Sequence, residues 1–285
     1  MWNFNYLIQK YIFISCIFNL NWVKIFIIKL IKYLNSIILF KKLSLQDEAN
    51  LISKLEKKLN LDLSEDRTPR NGKKTNLEKY TKTYKDNLVL TGYQIIALIG
   101  LLLGDAHAER QKLTGNTRLL FEQSTIHSEY LLMLHEIFEP LVGLSPLLSF
   151  RAPNEIKVKV TSTLKFQTLR FTCLNEYHEI FYLNKKKIIP KNIDELLTPI
   201  GLAFWLQDDG SYHIRDKIIV LSTDCFDESD VDLLIILLKK KFDLDCRKAK
   251  DRQYFRIVIK QNSIEKFKIL VLPYIHSSML YKLGL

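Results

Sequence analysis

Glycine, proline and cysteine are scarce in this chain: its 285 residues include only 9, 7 and 4 of them. That scarcity excludes collagen-like and Pro/Gly-rich low-complexity architectures. Cys16, Cys173, Cys225 and Cys246 stand far apart with no CxxC pair. They point to thiols in a reducing compartment and away from a disulfide framework or a zinc site. The six histidines show neither HxxxH nor HExxH spacing, so neither a zinc hydrolase nor a histidine–metal nuclease is favoured. With no P-loop and no GxGxxG, nucleotide-driven chemistry is also disfavoured. Long apolar runs are missing from the amino-terminal end. Within residues 1–40 the longest uncharged stretch is Tyr11–Val23, 13 residues, short of the ~20 that span a bilayer. No signal-peptide cleavage region follows it, and an organellar targeting peptide would favour Arg and Ser over this Ile/Phe/Asn-rich mixture. The segment reads as upstream or intron-derived sequence rather than as a membrane anchor.

What the chain does have is apolar bulk and positive charge. Hydrophobic residues make up 47% and aromatics 11%, enough for a real core. The net charge of +11 favours an anionic partner. The surplus is segregated. Residues 1–90 carry 16 basic and 8 acidic side chains. Segments 151–191 and 239–260 each carry 9 against 3, whereas 192–238 reverses to 2 against 10. Basic stripes flanking an acidic patch suit a duplex-binding surface around a metal site. The abundance of Ile, Lys, Asn, Phe and Tyr over Gly, Ala and Pro implies an A/T-rich genome of the organellar kind.

Three segments organise the chain: an apolar and basic extension with a polar linker at 1–90, then two repeats, 91–191 and 192–285. Each repeat opens with an apolar helix ending in aspartate, GYQIIALIGLLLGD (92–105) and IDELLTPIGLAFWLQDD (193–209). A short strand follows, RLLFEQ (118–123) or KIIVLST (217–223), then an amphipathic helix at 128–141 or 228–242. Basic strands come next. In EIKVKVT (155–161) and FRIVIK (255–260), Ile156, Val158, Val160, Phe255, Ile257 and Ile259 alternate with Lys157, Lys159, Thr161, Arg256, Val258 and Lys260. Period-two alternation predicts half-buried antiparallel sheets with one free face. Closing helices fall near 175–183 and 263–275.

Asp105 and Asp209 are placed against electrostatic preference. Each ends a strongly apolar helix, where the macrodipole disfavours a negative charge by roughly 0.3–1 kcal/mol. Ala97, Gly100 and Gly104 on the first helix, with Gly201 and Ala203 on the second, allow the two backbones to approach closely. Such packing would bring like charges together. Divalent cations resolve both difficulties, and oxygen ligands suit magnesium.

LIGLLLGDA (98–106) and LAFWLQDDG (202–210) resemble the paired motifs of the LAGLIDADG homing endonucleases. The resemblance runs on through FEQSTIHSEYL (121–131), KKKIIP (185–190), LSTDCFDESDV (221–231) and MLYKL (279–283), and is nearest to the monomeric omega-intron type. It implies an α+β fold of two pseudo-symmetric αββαββα repeats, each with a saddle-shaped antiparallel sheet, packed through the motif helices. It also implies one metal-binding acid from each motif, Asp105 and Asp209, with Asp208 as a neighbouring support. Each sheet would enter a DNA major groove, and metal-dependent hydrolysis of both strands would leave short 3′ overhangs. Lys187 and Lys282 match basic residues near the scissile phosphates. Gln123 and Ser222, taken as equivalent strand positions, are weaker candidates for the rim. Base and phosphate contacts would come from Arg118, Lys157, Lys159, Lys165, Arg215, Arg247, Lys248, Lys250, Arg252, Arg256 and Lys260. His127 and His135 read as structural, while Tyr212 and His213 either approach DNA or merely begin a strand.

The expected partner is thus a double-stranded DNA site, met by a monomer holding Mg²⁺ in the mitochondrion, with the chloroplast second, and with no small-molecule substrate. The rival is an intron RNA maturase using the same basic sheets to bind RNA by shape and backbone. Intact acids in both motifs favour cleavage over pure binding.

Overall fold

The computed structural model of the chain describes residues 81–112, 114–151 and 161–285. The expectations for residues 1–80, and for the alternating strand over 155–160 with Lys157 and Lys159, lie outside the described residues. The predicted linker gives way at its end to a short helix, α1 (Lys82–Asn87), whose Tyr84 hydroxyl donates to the Pro140 carbonyl at 2.9 Å.

The first repeat runs α2 (Gly92–Leu103), β1 (His107–Glu109), β2 (Arg118–Ser124), α3 (Ser128–Ile137), β3 (Leu147–Arg151), β4 (Thr161–Gln167) and α4 (Asn175–Phe181). A hairpin, β5 (Tyr182–Leu183) and β6 (Lys186–Lys187), and a helical turn, α5 (Ile193–Leu196), lead into the second. There the order recurs as α6 (Pro199–Asp209), β7 (Gly210–His213), β8 (Ile218–Leu221), α7 (Glu228–Phe242), β9 (Cys246–Asp251), β10 (Tyr254–Ile259) and α8 (Ile264–Val271). Each repeat builds a four-stranded antiparallel sheet, β1-β2-β4-β3 and β7-β8-β10-β9. The fold is therefore α+β with two matching αββαββα units. Several helices end earlier than the apolar pattern suggests. The one expected over 128–141 stops at Ile137, and a 3₁₀ turn at Glu139–Leu141, with Pro140 in its first turn, takes over.

The two motif helices form the centre. Thr91 and Gln94 make a reciprocal capping box at the start of α2, with bonds of 3.2 and 2.9 Å. Thr198 caps α6 ahead of Pro199, whose missing N–H costs nothing at that position. Residues 94–103 and 200–208 are buried all round, as only core helices are. They cross backbone to backbone. A Cβ on Gly100 would lie 2.0 Å from the Gly201 carbonyl oxygen, and one on Gly104 would lie 2.5 Å from the Asp208 Cβ.

Register decides which strand residues share a face, because directly opposed residues in an antiparallel pair point the same way. In the first sheet Leu119, Phe121 and Phe166 face the helices, with Phe121 stacked on Phe166 and Phe138 at 4.6 and 5.2 Å. His107, Glu109, Arg118, Glu122, Lys165 and Gln167 take the opposite, open face. In the second sheet Ile219, Leu221, Ile257 and Ile259 lie under α7. Val258 pairs with Val220 on the open side. Both are buried, so that face has an apolar centre where the alternation places Val258 among the polar residues.

Overpacking a well-filled contact costs about 1–3 kcal/mol, so Gly100→Ala is expected to lower the unfolding free energy by about 2 kcal/mol. Gly201→Ala should be nearly neutral. Its nearest neighbours are 3.2–3.3 Å away, and helix propensity returns up to about 1 kcal/mol. Urea denaturation of both variants checks this, and equal losses would contradict the contact.

Candidate active site between the repeats

Asp105 lies one residue beyond the Gly104 cap of α2. The break there is closed by Gly104 N–H on the Gly100 and Leu101 carbonyls, both at 3.1 Å, and by Ala106 N–H on Leu101 at 3.0 Å. Asp209 is the last residue of α6, and its carbonyl accepts Ser222 N–H at 3.0 Å. Asp208 points the other way, across the interface into the first repeat. Its carboxylate accepts the Asp105 backbone N–H at 3.1 Å, the Tyr130 hydroxyl at 2.9 Å and the Gln123 amide at 3.4 Å. The same Gln123 amide donates to the Asp105 carboxylate at 2.9 Å.

Three carboxylates from two chain segments thus crowd one place. Burial, then the charge of Asp105, pushes Asp209 up from 3.8 to about 7. Burial followed by Asp105 and Asp209 pushes Asp208 well above the carboxylate range. Two lysines oppose this. Lys187, on β6, donates to the carbonyls of Gly104 and Ala106 at 2.8 and 3.0 Å, on either side of Asp105. Lys282, on the 3₁₀ segment Ser277–Leu283, donates to the Gln207 carbonyl and, at 2.7 Å, to that of Asp208, just before Asp209. Burial lowers both ammonium pKa values. Each lysine thus holds two backbone carbonyls beside one acid, Lys187 on both sides of Asp105 and Lys282 on the two residues before Asp209.

Each lysine is delivered by local structure that sequence spacing does not reveal. Asn184 and Lys185 both take positive φ, 49° and 66°, in the two-residue turn between β5 and β6. This is the geometry hairpins prefer, with lysine where glycine is usual. The carboxy-terminal segment is tied down by buried Gln207, whose side-chain oxygen accepts His276 N–H at 2.7 Å. Gly284, at φ 72°, lies flat against the Tyr212 ring. Tyr212 accordingly begins a strand and faces inward. His127 stacks on Tyr281 at 5.9 Å across the repeats, and His135 packs edge-on to Phe166 at 5.2 Å.

The register corrects one expected equivalence. β1 and β2 oppose His107 to Leu120, while β7 and β8 oppose Gly210 to Leu221. Counting from the two acids, the counterpart of Gln123 is Thr223, and that of Ser222 is Glu122. Thr223 is buried, with its hydroxyl on the Phe255 carbonyl at 2.6 Å. Among the described residues, no side chain donates a hydrogen bond to the Asp209 carboxylate.

The basic side chains divide by face. Lys165, Arg215, Arg247, Lys250 and Arg252 are exposed. Arg118 pairs with Glu109, whose carboxylate Arg170 also reaches at 3.6 Å. Arg256 pairs with Asp224 at 3.2 Å and Asp251 at 2.8 Å, and Lys260 with Asp245 at 2.9 Å. Lys248 departs from the expectation. Opposed to Ile257, it lies on the helix side, bound to Glu228 and Asp232 of α7 at 2.5 and 2.9 Å. Lys250, opposed to Phe255, has the same orientation near the sheet edge.

The donor set suits a hard cation. It offers carboxylate oxygens from both repeats. Cys225, near Asp209 and Lys187, is a thiol whose pKa burial raises, and His127, near Asp105 and Lys282, has its pKa lowered by burial. No group of three or more His, Cys, Asp or Glu side chains among the described residues forms a ready metal cage. An ion here would complete its shell with water and phosphate oxygens, the usual habit of magnesium.

A family model described as the LAGLIDADG DNA endonuclease family matches residues 95–267. Cytochrome b mRNA maturase bI2 of Debaryomyces hansenii is 35% identical over 192 residues, covering 66% of this chain and 72% of that protein. The probable intron-encoded endonuclease 1 of Wickerhamomyces canadensis is 32% identical over 212 residues, covering 72% and 90%. The solved structure of the homing endonuclease I-WcaI bound to its DNA recognition sequence matches with a TM-score of 0.67 at 30% identity, covering 74% of this chain and 94% of that one.

Asp209 holds its proton to about 7 when folded, against 3.8 in the ordinary carboxylate. Between those values the folded state binds more protons than the unfolded one, so stability falls as pH rises through the window. In metal-free protein, Asp209→Asn should therefore melt above wild type at pH ~8, with the gap closing toward pH ~5. Magnesium should raise the wild-type melting temperature at the higher pH and leave that of the variant nearly unmoved. Calorimetry at both pH values checks this; a variant that melts below wild type at both would remove the charge-crowding account.

Proposed function

The chain belongs to the LAGLIDADG DNA endonuclease family, and from that premise we propose that it is a site-specific, magnesium-dependent homing endonuclease that hydrolyses both strands of a DNA duplex. The observation that carries this reading is the shared site. Asp105 and Asp209 come from two repeats to one place, and a lysine grips the backbone beside each. Binding alone needs neither the crowded acids nor the paired ammonium groups.

Asp105 and Asp209 would hold the metal, and magnesium bound there supplies Lewis-acid stabilisation of phosphate charge and activates water. The chain's own residues arrange the rest. Gln123 fixes the Asp105 carboxylate by its 2.9 Å bond. Lys187 and Lys282 each use two donors on backbone carbonyls, leaving a third of the ammonium's three for a phosphate oxygen or the attacking water. The open faces of the two sheets, with Arg118, Lys165, Arg215, Arg247, Arg252 and Arg256, would follow the major groove. One chain supplies both half-sites, so a monomer suffices. Mitochondria are the compartment we infer, in keeping with the A/T-rich coding signature and a relative named for cytochrome b mRNA.

A maturase role is the second reading. Its support is the relative named as a maturase, which is as similar to this chain as the named endonuclease is. The open basic faces suit an RNA helix read by shape and 2′-hydroxyls as well as they suit DNA.

A plasmid carrying the uninterrupted host-gene junction separates the two. With magnesium, wild type should linearise it at one site, and Asp209→Asn should lose at least about 100-fold in rate, the scale of losing a site's electrostatic stabilisation. Cutting by both proteins would remove Asp209 from the metal site. Strong intron-RNA binding with no duplex binding would transfer the function to the maturase.

A further inference from the structure

The two halves of the site are not built alike. On the first-repeat side, the Asp105 carboxylate is fixed by Gln123 at 2.9 Å and its backbone N–H by Asp208 at 3.1 Å. Asp208 is itself fixed by the Tyr130 hydroxyl at 2.9 Å and touches Gln123 at 3.4 Å. Tyr130, Gln123 and Asp208 are buried, so solvent competes little for the bonds among them, whereas Asp105 itself is exposed and takes its fixed position from them. None has a working counterpart on the other side. The residue matching Asp208 is Gly104, that matching Gln123 is Thr223, which is turned to Phe255, and that matching Tyr130 in α7 is Asp230. The missing side chain at Gly104 is what admits Asp208, since a Cβ there would lie 2.6 Å from its carboxylate oxygen.

We propose that Asp208, held by Tyr130, is a positioning residue that reaches from the second repeat to set Asp105 and Gln123, so that the Asp105 half-site is pre-organised and the Asp209 half-site is not. This rests on the endonuclease reading. Asp208 works through its neighbours rather than on the substrate. Loss of the brace loosens Asp105 without altering the groove-facing sheets, so one strand's cleavage should suffer more than the other's.

The test follows each strand separately on an end-labelled duplex carrying the target site, with Tyr130→Phe and Asp208→Ala beside wild type. Both variants should change the ratio of the two strand-cleavage rates by about fivefold, the size of one hydrogen bond's net contribution. Duplex affinity in EDTA should stay within about twofold, because no phosphate contact is removed. In metal-free protein, hydrogen exchange at the Asp105 amide should accelerate in Asp208→Ala. Equal slowing of both strands, or unchanged rates, in a variant that binds DNA normally would overturn the brace. Tyr130→Phe removes a single hydroxyl and serves if Asp208→Ala does not fold. If wild type cuts neither strand, the endonuclease reading fails on its own. The exchange rate then decides for Asp208: unchanged protection at Asp105 refutes the brace.

Discussion

Gly100 and Gly201 meet with no side chain between them, and the position of nearly everything else follows from that contact. Two buried helices that touch backbone to backbone can diverge only slightly before their next residues meet. Three or four residues on, the same closeness seats Asp208 against Gly104 and brings Asp105 and Asp209 to one place. The α2 capping box and the stacked Phe121, Phe138 and Phe166 hold the first repeat together and Thr198 caps α6 in the second, yet neither repeat completes a site. The acids become a site because the helices cannot be pushed apart by side chains they do not have.

Such closeness concentrates negative charge on acids that run from exposed Asp105 through half-buried Asp209 to buried Asp208, and the surrounding chain is arranged to bear it. Lys187 and Lys282 do not simply pair with the acids. They attach to the carbonyls of the chain bearing them, at the helix ends where the backbone dipole is itself negative. One ammonium therefore offsets both a helix terminus and a carboxylate. The imbalance that remains shows in the raised carboxyl pKa values of Asp208 and Asp209.

Much of this was readable from residue order alone. Two apolar helices ending in acid, with glycines at turn spacing, identify the interface, and in the second repeat alternation over 255–260 marks a strand of the sheet beside it. What the sequence withholds is register. Gln123 and Ser222 look equivalent when the two strand segments are laid side by side, but the pairing of each strand with the one that follows its acid shifts the match by one, and Thr223 takes the matching place. Lys248 looks like a groove-facing base until pairing with Ile257 turns it toward Glu228 and Asp232. Likewise, nothing in the doublet Asp208–Asp209 says that one carboxylate stays home while its neighbour crosses to the other repeat. That is decided by the vacancy at Gly104, over a hundred residues earlier.

The ion pairs on the sheets have a bearing on how such a protein would search a genome. Arg118 with Glu109, Arg256 with Asp224 and Asp251, and Lys260 with Asp245 carry their own counterions as covalent parts of the chain. A phosphate that takes one of these cations displaces a tethered carboxylate, not a free ion that gains entropy on release, so the usual salt-driven reward for indiscriminate binding is reduced. Log affinity should then decline with log salt less steeply than a count of basic side chains implies. Contacts that earn little on random sequence leave discrimination to the fit of the groove, and a molecule with a +11 surplus can still let go of the wrong DNA.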